Sequence, residues 1–190
     1  MKIKLSEIIK DLRQLILKAN LTEDDEKYFQ YLQKILIEFA TPKQLCEVAK
    51  EHIKGLNYSA FEDKIIKSKN SMLIYYYTVN NLPFADIKKM TDAIVELKDG
   101  YFNYLSARNI KGAPIEKHEK VVLEDGDPEI NYLFLKYVFG ANIEAHENVI
   151  RLSQNKVWID KLNCQSATPC PTLRQRLASQ QKTSERIDII

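Results

Sequence analysis

Apolar residues return every three or four positions through most of this chain, and alternation of period two is never sustained. That spacing predicts helices, and the lack of hairpin turn chemistry between the apolar clusters argues against strands. Two longer amphipathic patterns come first: KLSEIIKDLRQLILKA and, after Thr22, EDDEKYFQYLQKILIEFA, whose acidic residues gather where a helix dipole favours them. After Thr41 and Pro42, a cap and a tolerated first helical residue, the patterns shorten. Asp127 and Pro128 open a helix running through EINYLFLKYVF to Gly140, and Asn142 caps a second with Ile143, His146 and Ile150 on its inward period.

This two-helix phrase recurs. YLSARNIKGAPIEKHEKVV from Tyr104 falls on YLFLKYVFGANIEAHENVI from Tyr132 at a step of 28 residues. The same step back places Tyr76, Ala85, Ile87 and Ile94 in register, with Phe84 in the glycine column, and a step of 29 reaches Gly55, Glu62 and Ile65. A lone pair of ten-residue helices cannot cover its own apolar face, so stacking of neighbours explains why inward residues recur in fixed columns. The expected architecture is all-α, a right-handed α-solenoid-like stack of short helical hairpins. Residues 1–42 form an N-terminal helical cap, 43–153 four tandem hairpins, 154–164 a capping helix led by Trp158 and Leu162, and 165–190 a disordered basic tail rich in Gln, Ser and Thr.

The columns Tyr132-Leu133-Phe134, Gly140-Ala141, Ile143 and Glu147 to Ile150 resemble a short tandem helical repeat, roughly YLFA..V.GA.I..LE..VI, of uncharacterised bacterial and phage proteins. The resemblance spans about residues 43–153 and implies a stacked helical array without an established activity. Phe84 departs from it by lacking the turn glycine, and His118 and His146 stand where the pattern favours leucine.

Composition narrows the function classes. The chain has 190 residues, 45% of them apolar, enough for a core without covalent staples. No run approaches a bilayer-crossing length, and charges in MKIKLSEIIKDL break the continuous hydrophobicity of a signal peptide, so a cytoplasmic protein with no membrane contact is expected. Cys46, Cys164 and Cys170 read as reduced thiols, with a Cys164 to Cys170 bridge as the alternative. The net charge is +2, and Arg174, Arg176, Lys182 and Arg186 against Glu185 and Asp188 place that whole excess in the tail. A balanced body does not supply the clustered cations that phosphate binding needs.

Candidate chemistry is sparse. No phosphate-cradling glycine loop, nucleophile elbow or cofactor motif occurs, so an enzyme is not expected, and no cofactor. His118 and His146, with Glu119 and Glu147, would make a metal site if they converged, but their column also holds Phe61 and Met90, which marks an inward packing position. Glu62, Glu119 and Glu147 share a column with Thr91. They line a groove or bond to lysines and loop amides. Tyr76, Tyr104 and Tyr132 form a ladder that reads either as a recognition surface or as packing between units. Asn80 and Asn81, in the irregular YYYTVNNLPF, read either as ligand contacts or as a different way of ending a helix.

The leading functional expectation is a noncatalytic protein-binding module of phage or mobile-element type, with Tyr76, Asn80, Asn81, Tyr104, Tyr132, Glu119 and Glu147 as binding residues and no metal. The alternative is a nucleic-acid binder that gathers Lys64, Lys67, Lys88, Lys89, Lys111 and Lys117 on one face beside the basic tail. A minor alternative uses His118 and His146 for a metal or for catalysis.

Overall fold

The structure, a computed structural model, describes residues 4–18 and 20–167. Of the tail expected to be disordered, residues 165–167 instead end the last helix, and the rest, with Cys170, lies outside the described residues. Among these, eleven helices and no strand occur: α1 (Leu5–Ile16), α2 (Glu23–Phe39), α3 (Pro42–Ala49), α4 (Tyr58–Lys67), α5 (Ser71–Asn80), α6 (Ile87–Glu96), α7 (Gly100–Asn109), α8 (Ile115–Asp125), α9 (Pro128–Tyr137), α10 (Ile143–Leu152) and α11 (Lys156–Ala167). The fold is all-α. No helix among the described residues is long and apolar enough to cross a membrane.

The chain divides into two compact units, Met1–Leu97 and Lys98–Ile190. In the first, α1 packs on α2, α3 on α4 and α5, and α4 on α2 and α6, while α5 also packs on α4 and α6. In the second, α7 packs on α8 and α9, α9 on α10 and α11, and α8 on α9 and α10. Within each unit, then, the first helix of a pair touches the first of the next, and the second touches the second. Where two pairs adjoin within a unit, each covers a flank that the other would leave open, which is how helices of this length escape being marginal.

Local sequence sets the helix starts. Side-chain oxygens of Thr22, Thr41, Asn57, Asn70 and Asp86 in the first unit each accept a main-chain N–H at a helix N-terminus. Asp99, Asp127 and Asn142 do the same in the second. Such a cap contributes about 1 kcal/mol. Pro114 occupies the cap position of α8 and makes no such bond. α9 ends at Tyr137, three residues before Gly140, because buried Val138 turns extended before the chain swings through Gly140 at φ 85°.

Counting from these caps brings out a change of register. Thr41 to Asn57 and Asn70 to Asp86 are each 16 residues apart, whereas Asp99 to Pro114 and Asp127 to Asn142 are each 15. The connector after α5 carries the extra residue. It turns by having the Asn81 carbonyl accept both the Phe84 and Ala85 N–H groups at 2.8 Å, and the Phe84 ring stacks 4.9 Å from that of Tyr58. A constant step of 28 therefore misplaces α5 by one position.

The second helix of each pair ends in a left-handed residue. Gly126 takes that conformation at φ 73°, but Lys69, Lys98 and Gln154 take it at 51°, 54° and 55° with a side chain attached. A left-handed non-glycine residue costs roughly 1–2 kcal/mol.

Candidate functional site

The fourth residue after each cap points into its pair. In the first unit these are Leu45 with Phe61 and Ile74 with Met90, all fully buried. In the second they are Asn103 with His118 and Asn131 with His146, also fully buried. The same inward position is filled by an apolar couple in one unit and by an asparagine–histidine couple in the other. Asn131 Nδ2 donates to the carbonyls of Val122 and Asp127 at 3.1 and 2.8 Å, which turns its Oδ1 toward the histidine. That oxygen lies 2.7 Å from His146 Nδ1 and accepts its N–H. Asn103 repeats the arrangement, donating to the Asp99 carbonyl at 2.8 Å and accepting from His118 Nδ1 at 2.7 Å. Both imidazoles thus carry a proton on Nδ1.

His146 Nε2 lies 3.2 Å from Glu119 Oε1. With Nδ1 already protonated, Nε2 donates to Glu119 only as imidazolium. Burial pushes the His146 pKa below its ordinary value, and the Glu119 carboxylate works against that shift. The Phe134 ring, 4.8 Å away and nearly parallel, closes the apolar side of the imidazole. Each Nδ1 is taken up by an asparagine, and no group of three histidine, cysteine or acidic side chains among the described residues is placed to hold a metal.

The acidic column lies one residue further on and serves the connectors. Glu119 Oε1 accepts the N–H of Asn142, Glu62 Oε1 that of Asp86 at 2.8 Å, and Gln33 Oε1 that of Asn57. Of the two accounts open for this column, the loop-amide one describes Glu62 and Glu119. Thr91, in the same column, turns its hydroxyl back to the Ile87 carbonyl at 2.7 Å. Glu147 sits half-buried on α10 in the corresponding place.

The tyrosine ladder needs correction. The fifth residues after the caps are Tyr75, Tyr104 and Tyr132, with 7%, 2% and 8% exposure, whereas Tyr76 is 52% exposed. The longer connector after α5 moves Tyr76 one position round the helix, out of the column and onto the surface. Asn81 is fully buried and its Nδ2 donates to the Tyr77 carbonyl at 2.8 Å. Asn80 Nδ2 donates to the Tyr76 carbonyl at 2.7 Å, and its own carbonyl lies 2.8 Å from His52 Nε2. Both asparagines finish α5. Asn81, Tyr104 and Tyr132 are too buried to meet a partner directly, and of the seven expected binding residues Tyr76 and Asn80 are the exposed ones.

Two of the lysines expected on a phosphate-binding face are engaged internally. Lys64 Nζ donates to the Ile37 and Glu38 carbonyls at 2.8 and 2.9 Å, satisfying the C-terminal end of α2. Lys89 pairs with Glu62 at 3.3 Å and Asp63 at 2.9 Å.

A different set of side chains gathers on α7, α9 and α11. Arg108 Nη1 donates to the Tyr104 hydroxyl at 3.0 Å while its guanidinium covers the Tyr137 ring at 4.6 Å. Lys136 lies 5.1 Å from the Tyr137 ring and 5.9 Å from that of Tyr132. The Tyr132 ring packs 5.3 Å from Trp158, over which Lys161 sits at 3.6 Å. Tyr101, 48% exposed, flanks Tyr104 at 6.4 Å. Comparison with family models, with curated proteins and with solved structures finds no match. The row on α7, α9 and α11 therefore stands on its own chemistry.

Sequence reading passed over Arg108, Lys136 and Lys161. One signal was there: Tyr104 with Arg108 and Tyr132 with Lys136 repeat the same spacing of four, which puts ring and cation on one side of a helix. The first unit offers a contrasting feature, an apolar cavity of about 320 Å³ lined by Leu15, Leu21, Phe29 and Gly55 with Glu26 and Lys54.

Proposed function

We propose that the chain is a noncatalytic module that binds another protein, built as a right-handed, α-solenoid-like stack of short helix pairs. The repeated caps, the equivalent inward positions and the first-on-first, second-on-second packing inside each unit support the stack. The resemblance of residues 43–153 to tandem helical repeats of bacterial and phage proteins supports an origin in a phage or mobile element.

One observation carries the binding reading: three exposed cations and several tyrosines form a continuous row across α7, α9 and α11. Tyrosine, tryptophan and arginine are the residues that dominate protein interfaces, because each offers a large, orientable surface at small entropic cost. Tyr104 and Tyr132 belong to the core beneath the row, and its exposed members are Tyr101, Arg108, Lys136, Tyr137 and Lys161.

The test is affinity capture from the native host with the full chain as bait, beside a bait carrying Arg108→Ala and Tyr137→Ala. Loss of a specific co-purifying protein from the double variant, with helix content and melting retained, is the expected result. Identical protein sets on both baits would refute the assignment of this face.

A further inference from the structure

We infer that the row on α7, α9 and α11 receives an acidic segment of the partner protein, the carboxylates meeting Arg108, Lys136 and Lys161 and the apolar residues between them meeting the exposed rings of Tyr101 and Tyr137. The inference rests on the protein-binding reading above and adds the chemistry of the occupant.

Charge comes first. Arg108, Lys136 and Lys161 are exposed, each stands beside or over an aromatic ring, and none has a carboxylate within ion-pair distance among the described residues. Some lysines elsewhere are paired, as Lys89 with Glu62 and Asp63, and Lys50 with Glu47 at 2.9 Å, and others such as Lys10 and Lys34 stand singly; the row differs in bringing three cations together through shared rings. Three cations in one row without an acid make a surface whose missing complement is negative. Ring quadrupoles hold the cations in place from behind, so a carboxylate arriving from solvent finds them partly ordered. Arg108 has committed one donor to the Tyr104 hydroxyl, and a guanidinium has five, enough to take a carboxylate with two more.

The second question is why the negative partner is a peptide rather than a nucleic acid. Single strands bind by laying bases on open ring faces and threading phosphates along a basic groove. Here Lys161 covers Trp158 at 3.6 Å, and Arg108 and Lys136 lie 4.6 and 5.1 Å from the Tyr137 ring. Trp158 and Tyr137 thus already carry cations, which leaves exposed Tyr101 as a single ring where a strand needs successive ones. The cations number three, whereas tight phosphate binding draws on a larger cluster. Carboxylates spaced along a peptide match a short row of separated cations.

The probe is a fluorescein-labelled peptide of alternating glutamate and leucine, titrated with the full chain and followed by anisotropy at low and raised salt. A matched peptide with glutamine for glutamate and a labelled single-stranded DNA serve as comparisons. The variant combines Arg108→Gln, Lys136→Gln and Lys161→Gln. A control combines Lys10→Gln, Lys34→Gln and Lys120→Gln, exposed lysines on α1, α2 and α8. We expect the acidic peptide to bind, to weaken with salt, and to lose about tenfold or more in affinity on the row variant while keeping it on the control. No binding, equal binding of the glutamine peptide, tighter binding of DNA, or an unchanged affinity of the row variant overturns the inference. A photo-cross-linking residue at position Tyr101, used in native host lysate, separates the two levels. A cross-link to a neutral or basic protein segment overturns the acidic occupant and keeps the protein-binding reading. Absence of any protein cross-link overturns both.

Discussion

The asparagine–histidine couple of α9 and α10 can be exchanged for the couple that the first unit already uses. His146→Met alone leaves the buried Asn131 Oδ1 without the N–H it accepts at 2.7 Å. Asn131→Ile alone leaves the His146 Nδ1–H stranded. Each orphaned polar group costs about 1–3 kcal/mol, so each single variant is expected to lose about 2 kcal/mol. The carbonyls that Asn131 Nδ2 served are not orphaned, because Val122 O still accepts the Gly126 N–H at 3.4 Å and Asp127 O the Asn131 N–H at 3.0 Å. The double variant recreates the fully buried Ile74 and Met90 couple and leaves no polar group unpaired at that position. Its loss should fall short of the sum of the singles by about 2 kcal/mol. For a chain of this size that is about 4–8 °C in melting temperature. The chain has one tryptophan, Trp158, packed against Tyr132 in the same unit, so its fluorescence reports the unfolding directly. Strictly additive losses would refute the claim that the two side chains act as one hydrogen-bonded couple.

The other predictions concern single positions. Gln154→Gly and Lys69→Gly relieve left-handed side chains at φ 55° and 51° and should each add about 1 kcal/mol in urea unfolding, whereas Gly126→Ala should remove a similar amount. Glu62→Leu leaves the Asp86 N–H without its acceptor and Lys89 without one of its two acids, for a loss of about 2–3 kcal/mol; Glu62→Gln keeps the acceptor and should lose less, and an equal loss would contradict the loop-amide role. His146 has a lowered pKa in the fold because of burial, so the unfolded chain takes up its proton first as pH falls. Stability tied to this residue is therefore present above the ordinary histidine value, about 6.5, and is lost as pH falls from there toward the folded value. Melting temperature plotted against pH should flatten over that window in the Asn131→Ile, His146→Met variant. Asp25, held at about 2 chiefly by Lys18, gives the same sign at lower pH: its contribution is present above the ordinary aspartate value of 3.8 and fades toward 2, and Asp25→Asn should remove that slope.

Much of the fold was legible because its signals are local. Thr22, Thr41, Asn57, Asp86, Asp127 and Asn142 act in the structure as the caps their side chains suggest. Phe61, Met90, His118 and His146 are all fully buried, as one inward column requires. The tyrosine ladder was misread because a constant period cannot register one extra residue in a connector, and a helix turns about 100° for each residue slipped. The asparagine partners of the two histidines were missed since they lie on the preceding helix, 15 residues away, where only the packing of the pair brings them together. Left-handed Lys69, Lys98 and Gln154 carry no compositional mark, unlike Gly126. The cation row escaped notice because the contacts that link its members, Arg108 with Tyr137 and Tyr132 with Trp158, cross between helices, and a charge on a helix surface reads alone as a solvated face.

The spare residue between α5 and α6 has a practical consequence. Asn70 and Asp86 re-establish the helix starts on either side of it, and the inward partners Ile74 and Met90 meet as tightly as those of the shorter pairs. The bend is anchored on either side, by buried Asn81 and by the Phe84 ring stacked on Tyr58, which leaves exposed Pro83 between them as its tip. This makes it a natural splice point, where a foreign peptide, an epitope or a sensor domain can be grafted and the helices on both sides keep their seating.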